Sequence, residues 1–92
     1  MVKLETMASN QTIVYTNSGV EFHSYESFIC EIKYGELVKI EYNWNYSRTT
    51  MKYLKQFLDK YLPNIYKTKA NFEKLIEKKY IYNENGYYEL KK

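Results

Sequence analysis

The sequence predicts a small α+β fold in the order β-β-β-β-α-α-β-β: an antiparallel four-stranded sheet, then two helices and a C-terminal β-hairpin. Three observations lead there. Over residues 11–47 apolar and polar residues alternate, the period of a half-buried strand. From Met51 onward apolar residues recur at three- and four-residue spacing, the period of an amphipathic helix. Two tyrosine-rich runs then flank Asn85-Gly86, a dipeptide suited to a tight hairpin turn.

Residues 1–10 show no clean period and read as a loose lead-in. Thr12-Ile13-Val14-Tyr15-Thr16 is β-branched and aromatic, Asn17-Ser18-Gly19 breaks it, and Val20 to Tyr25 resumes the alternation, so a first hairpin is expected. A third strand follows from Phe28, Cys30 and Ile32 sharing one face, with Tyr34-Gly35-Glu36 as its turn. The fourth carries the strongest alternation, Val38, Ile40, Tyr42, Trp44 and Tyr46 against Lys39, Glu41, Asn43, Asn45 and Ser47. It is too long for so small a domain, so its Trp44–Tyr46 end is expected to project past the sheet or sit under a helix. Met51, Leu54, Phe57, Leu58, Tyr61 and Leu62 make one helical stripe, with Ser47, Thr49 or Thr50 as cap and Pro63 as stop. Thr68 suits the cap of a second helix over residues 69–79 that turns Phe72, Leu75 and Ile76 inward. Tyr80-Ile81-Tyr82 and Tyr87-Tyr88-Glu89-Leu90 form the last hairpin. The 92 residues make one domain, a lead-in (1–10), a β-sheet half (11–47) and a helix-helix-hairpin half (48–92).

A single cysteine, Cys30, excludes an intrachain disulfide and suits a reducing, cytoplasmic compartment. No run reaches the ~20 apolar residues of a membrane span, and no apolar stretch follows the first lysine as in a secretory signal. Catalytic groups are scarce. A Cys30–His23 pair across adjacent strands is the one nucleophile arrangement on offer, and it carries little specificity. No spacing resembles a zinc site or a phosphate loop, so neither enzyme activity nor a cofactor or metal is expected. Glu73 and Glu77 sit at i, i+4 and read as solvated helix charges beside Lys69, Lys74 and Lys78.

Tyrosine stands out at twelve residues. A genome rich in A/T codons would raise Tyr, Lys, Asn and Ile together, and tyrosine also gives a binding surface broad contact at low entropy cost. Charge is split. Residues 1–47 hold three Lys against six Glu, and residues 48–92 hold eleven Lys or Arg against five Asp or Glu. Two candidate surfaces follow. The first is Tyr42, Trp44, Tyr46 and Arg48, residue types enriched at protein-binding hot spots, with core packing of Trp44 as the alternative. The second is nucleic-acid binding by Lys67, Asn71, Lys74 and Lys78, one stripe of the second helix, with Tyr82 and Tyr87 of the hairpin. Residues 49–91 resemble the latter part of a winged-helix domain in pattern, though the strand-rich front half departs from it.

Ser24-Tyr25 and the run Tyr46-Ser47-Arg48-Thr49-Thr50-Met51-Lys52 resemble a family of small uncharacterised phage and mobile-element proteins. Met51 stands where that family favours Ser, and Tyr53 where His is common. The resemblance implies an origin more than an activity. It suggests an accessory protein that binds host machinery stoichiometrically, an inhibitor of a host defence nuclease complex of the anti-CRISPR kind, in the cytoplasm of a low-GC bacterium. The partner would then be a host protein or ribonucleoprotein. The competing expectation is a small DNA-binding or regulatory module, and a homodimer would bury the same surface against itself.

Overall fold

The computed structural model describes residues 3–91, so residues 1, 2 and 92 lie outside the described residues. One sheet carries every strand: β1 (Lys3–Ala8), β2 (Gln11–Tyr15), β3 (Gly19–Ser24), β4 (Ser27–Lys33), β5 (Glu36–Glu41), β6 (Tyr80–Asn83) and β7 (Tyr87–Leu90). Helices α1 (Arg48–Tyr61) and α2 (Lys69–Lys79) fall between β5 and β6. The spatial order is β1-β2-β3-β4-β5-β7-β6, and every neighbouring pair is antiparallel.

This corrects the expected four-stranded sheet in three places. The lead-in is largely β1, which pairs with β2 from Lys3↔Tyr15 to Ala8↔Gln11. Its side chains from Lys3 to Thr6 are exposed, so it needs backbone partners but no apolar face and leaves no periodic signal. The terminal hairpin is not set apart from the sheet: β7 pairs with β5 through Lys39↔Glu89, Ile40↔Tyr88 and Glu41↔Tyr87. The fourth expected strand also stops early, at Glu41, because two tight turns fold Tyr42 to Tyr46 away from the sheet.

Both helices lie as read. Ser47 caps α1, its side chain accepting from the Thr50 amide at 3.4 Å, and Thr68 caps α2, accepting from Asn71 at 3.1 Å. They cover one face of the sheet. Phe57 stacks on Phe22 with centroids 5.5 Å apart, and Ser24 Oγ meets Thr50 Oγ1 at 2.8 Å in full burial, fastening the start of α1 to the end of β3. At the other side, Trp44 meets Phe72 edge-on at 5.0 Å, and Phe72 stacks on Tyr66 at 4.7 Å. Tyr80 reaches under α2 to donate to the Leu37 carbonyl at 2.6 Å, and burial pushes its hydroxyl up to about 12.

Two bulges adjust which residues point inward. The register slips between Phe22 and His23, so adjacent Ile29 and Cys30 are both buried. A second slip opposite Glu31 and Ile32 turns Leu37 inward in place of Val38. Where β3 begins, the backbones of β3 and β4 approach closely. A β-carbon on Gly19 would overlap the Ile32 carbonyl oxygen and lie 2.9 Å from its carbon. The obstacle is backbone and cannot rotate away. Gly19→Ala is therefore expected to cost about 3 kcal/mol or more, as overpacking against a fixed wall does. Urea denaturation of the variant against the parent checks this, and an unchanged midpoint would contradict it.

A tyrosine-walled candidate binding site

The residues after β5 set the site. The Tyr42 amide donates to the Gly86 carbonyl at 2.9 Å, tying the strand exit to the terminal hairpin turn. The Trp44 amide then bonds the Glu41 carbonyl at 3.1 Å, and the Tyr46 amide bonds the Asn43 carbonyl at 3.0 Å. The Glu41 carboxylate accepts from the Asn43 amide at 2.6 Å; burial raises its pKa and this bond works against the rise. These turns send successive aromatics in different directions. Trp44 is 3 % exposed, while Tyr42 and Tyr46 are 49 % and 56 % exposed.

Tyr42 meets two tyrosines from the hairpin. Its ring lies 4.9 Å from Tyr82 and 5.6 Å, stacked, from Tyr88, and Tyr82 and Tyr88 are 5.7 Å apart. The Ile40↔Tyr88 and Tyr88↔Tyr82 pairings put the hairpin rings on the helix-covered face. Beside them opens a cleft of about 310 Å³ lined by Tyr42, Trp44, Tyr80 and Tyr88, by Asn43 and Asn45, and by Glu73, Ile76 and Glu77 of α2. The carboxylates are close enough to be felt. Burial raises the Tyr88 hydroxyl, with Tyr42, Tyr82 and Glu77 adding to it, and burial then Glu73 raises Tyr66. Among the described residues, neither Glu73 nor Glu77 has a salt bridge.

The residues singled out in the sequence therefore separate. Tyr42 and Tyr82 come together, joined by Tyr88, Glu73 and Glu77, which the sequence offered no reason to choose. Trp44 is core. Tyr46 and Tyr87 line a hollow toward the open sheet face with Phe28 and Glu41, and Lys39 lies 5.0 Å over the Tyr87 ring. Tyr82 and Tyr87 occupy opposite faces, so they do not act as one surface. Arg48 is exposed at the first position of α1. Asn71, Lys74 and Lys78 share a groove with Asn64, Ile65 and Leu75, while Lys67 is exposed ahead of α2.

Cys30 pairs in register with Phe22 on the helix-covered face, whereas His23 is on the opposite face, 2.8 Å from Glu21. Burial raises the Cys30 thiol far above its ordinary value, so the two do not form a nucleophile and base. Among the described residues, no three His, Cys, Asp or Glu side chains gather as a metal site, and no helix is long and apolar enough to cross a membrane.

Fold and site together define a two-layer α+β protein with an aromatic cleft at one end of its sheet. The chain matches the model of a family of unknown function, DUF8033, over residues 2–82, and belongs to that family. No curated protein and no solved structure matches it. The match covers β1 through the first three residues of β6.

The split between core and surface aromatics is testable. Trp44→Ala is expected to cost about 3–5 kcal/mol through the cavity left against Phe72 and Tyr66. Tyr42→Ala and Tyr46→Ala should each cost less than about 1.5 kcal/mol, since both rings are already half in water. Chemical denaturation of the three variants measures the difference, and equal losses would contradict the placement of Trp44.

Proposed function

We propose that the protein is a non-enzymatic, stoichiometric binding protein that recognises a protein partner with the tyrosine-walled end of its sheet. The observation that carries this reading is the Tyr42–Tyr82–Tyr88 cluster, whose rings are 4.9–5.7 Å apart beside a standing cleft. Tyrosines in mutual contact lose little further side-chain entropy on binding, and each offers an apolar face with a polar tip. The narrower form of the proposal comes from the resemblance of Ser24-Tyr25 and the Tyr46–Lys52 run to phage and mobile-element proteins. In that form the protein blocks a host defence nuclease complex, in the anti-CRISPR manner, by occupying one of its protein or ribonucleoprotein surfaces.

A second reading, binding of nucleic acid, draws support from the groove shared by Asn71, Lys74 and Lys78. Lysines there would meet phosphates, and affinity would fall steeply with salt. The hairpin gives that reading less than a winged-helix pattern would, because β7 is fixed between β5 and β6 inside the sheet.

The two readings separate in a pull-down of tagged protein from a low-GC bacterial lysate, with and without nuclease. The proposal expects a discrete protein complex in stoichiometric yield that survives nuclease. Tyr42→Ala with Tyr82→Ala should abolish its recovery, and Lys74→Glu with Lys78→Glu should leave it intact. Recovery of nucleic acid alone, lost in the lysine variant and at raised salt, would overturn the proposal in favour of the second reading.

A further inference from the structure

We infer that the cleft between the tyrosines and α2 receives an arginine side chain of the bound protein. This rests on the proposed binding function and adds the chemistry of its central contact. The cleft, about 310 Å³, is at the small end of ligand pockets, suited to one long side chain. Its walls differ in kind. Tyr42 and Tyr88, stacked on each other at 5.6 Å, supply aromatic rings, and an aromatic ring attracts a cation through its quadrupole. Glu73 and Glu77, one helical turn apart on α2, supply two carboxylates.

Those carboxylates are not neutralised from within. The four ion pairs formed among the described residues are His23–Glu21, Lys33–Glu31, Lys55–Asp59 and Lys60–Glu5, none of which involves α2. The helix's own Lys74 and Lys78 line the separate groove on its other flank. Both carboxylates are exposed, so their charge acts on a guest by simple attraction and repulsion: it disfavours phosphate and favours a cation. Arginine fits better than lysine. Its planar guanidinium stacks on one ring while its fork donates to carboxylates, and it is more weakly hydrated than an ammonium ion.

The chain carries its own reporter. Trp44 is its one tryptophan, and it lines the cleft. Titrating the ¹⁵N-labelled full chain with acetyl-Gly-Arg-Gly-amide should move the Trp44 indole N–H resonance saturably. The citrulline peptide, which has the same shape without the charge, should bind about tenfold more weakly or worse, the loss expected when charge-assisted bonds become neutral ones. Glu73→Gln with Glu77→Gln should weaken the arginine peptide by a similar factor, with the other amide resonances of the fold in place. No saturable shift, or equal affinity for the two peptides, would overturn the inference.

The same glutamine variant in the lysate pull-down separates this inference from the reading beneath it. Loss of the partner supports both. A partner retained by the glutamine variant but lost on Tyr42→Ala with Tyr82→Ala removes the arginine and leaves the binding face. A partner indifferent to both variants removes both.

Discussion

Three residue pairs between β5 and β7 join the terminal hairpin to the rest of the sheet: Lys39↔Glu89, Ile40↔Tyr88 and Glu41↔Tyr87. Strands β1 to β5 form a meander that leaves the outer edge of β5 without a partner, an exposed ladder that proteins commonly cover. The chain covers it by returning after two helices. That return also builds the cleft, because it sets Tyr88 beside Tyr42 and runs α2, through Tyr80, directly into β6. Without the β5–β7 pairing, Tyr42 would end a strand facing water, and Glu77 would have no tyrosine to influence.

The helix layer fixes the rest. Phe22 on Phe57 and Ser24 on Thr50 seat α1 on β3, and Tyr15 and Tyr61 share a hydroxyl contact at 2.8 Å along the same seam. The Ser24–Thr50 bond ties the end of β3 to the first turn of α1. A buried hydroxyl pair of this kind specifies alignment more than it adds stability, since each partner gives up bonds to water to form it. Gln11 lies at the neighbouring ladder position to Ser24, also fully buried, and its side-chain amide has no hydrogen-bond partner among the described residues.

Much of this was legible in the sequence, for reasons that can be stated residue by residue. The alternation from Thr12 to Ile32 and the stripe from Met51 to Leu62 were strong because each element buries one face against the same core. Ser47 and Thr68 announced the helix starts by their capping chemistry. Strand β1 was hidden because an edge strand joined by backbone bonds can carry exposed side chains, as Leu4 does at 65 % exposure. The alternation of Tyr42, Trp44 and Tyr46 overstated the length of the strand, though Trp44 does sit under α2: consecutive turns can also send alternate residues to opposite sides, and a period of two does not distinguish them from a strand. The terminal hairpin was readable, but its partner was not, since β5 and β7 are separated by both helices. The candidate site was half visible. Tyr42 and Tyr82 were singled out for two different surfaces, one for protein and one for nucleic acid, and Glu73 and Glu77, read as solvated helix charges, are exposed as expected; the fold is what brings the four to one end of the sheet.

A recognition surface of this kind depends on the cleft standing open and formed before any partner arrives, which in turn depends on β7 staying in the sheet. Native-state hydrogen exchange of the free protein tests that directly. Amides in the β5–β7 ladder are expected to exchange on the slow timescale of the β3–β4 ladder, as one cooperative unit. If β7 exchanged as fast as the exposed turns while β3 and β4 stayed protected, the hairpin would be fraying from the sheet, and the tyrosine cleft would not be a lasting feature of the fold.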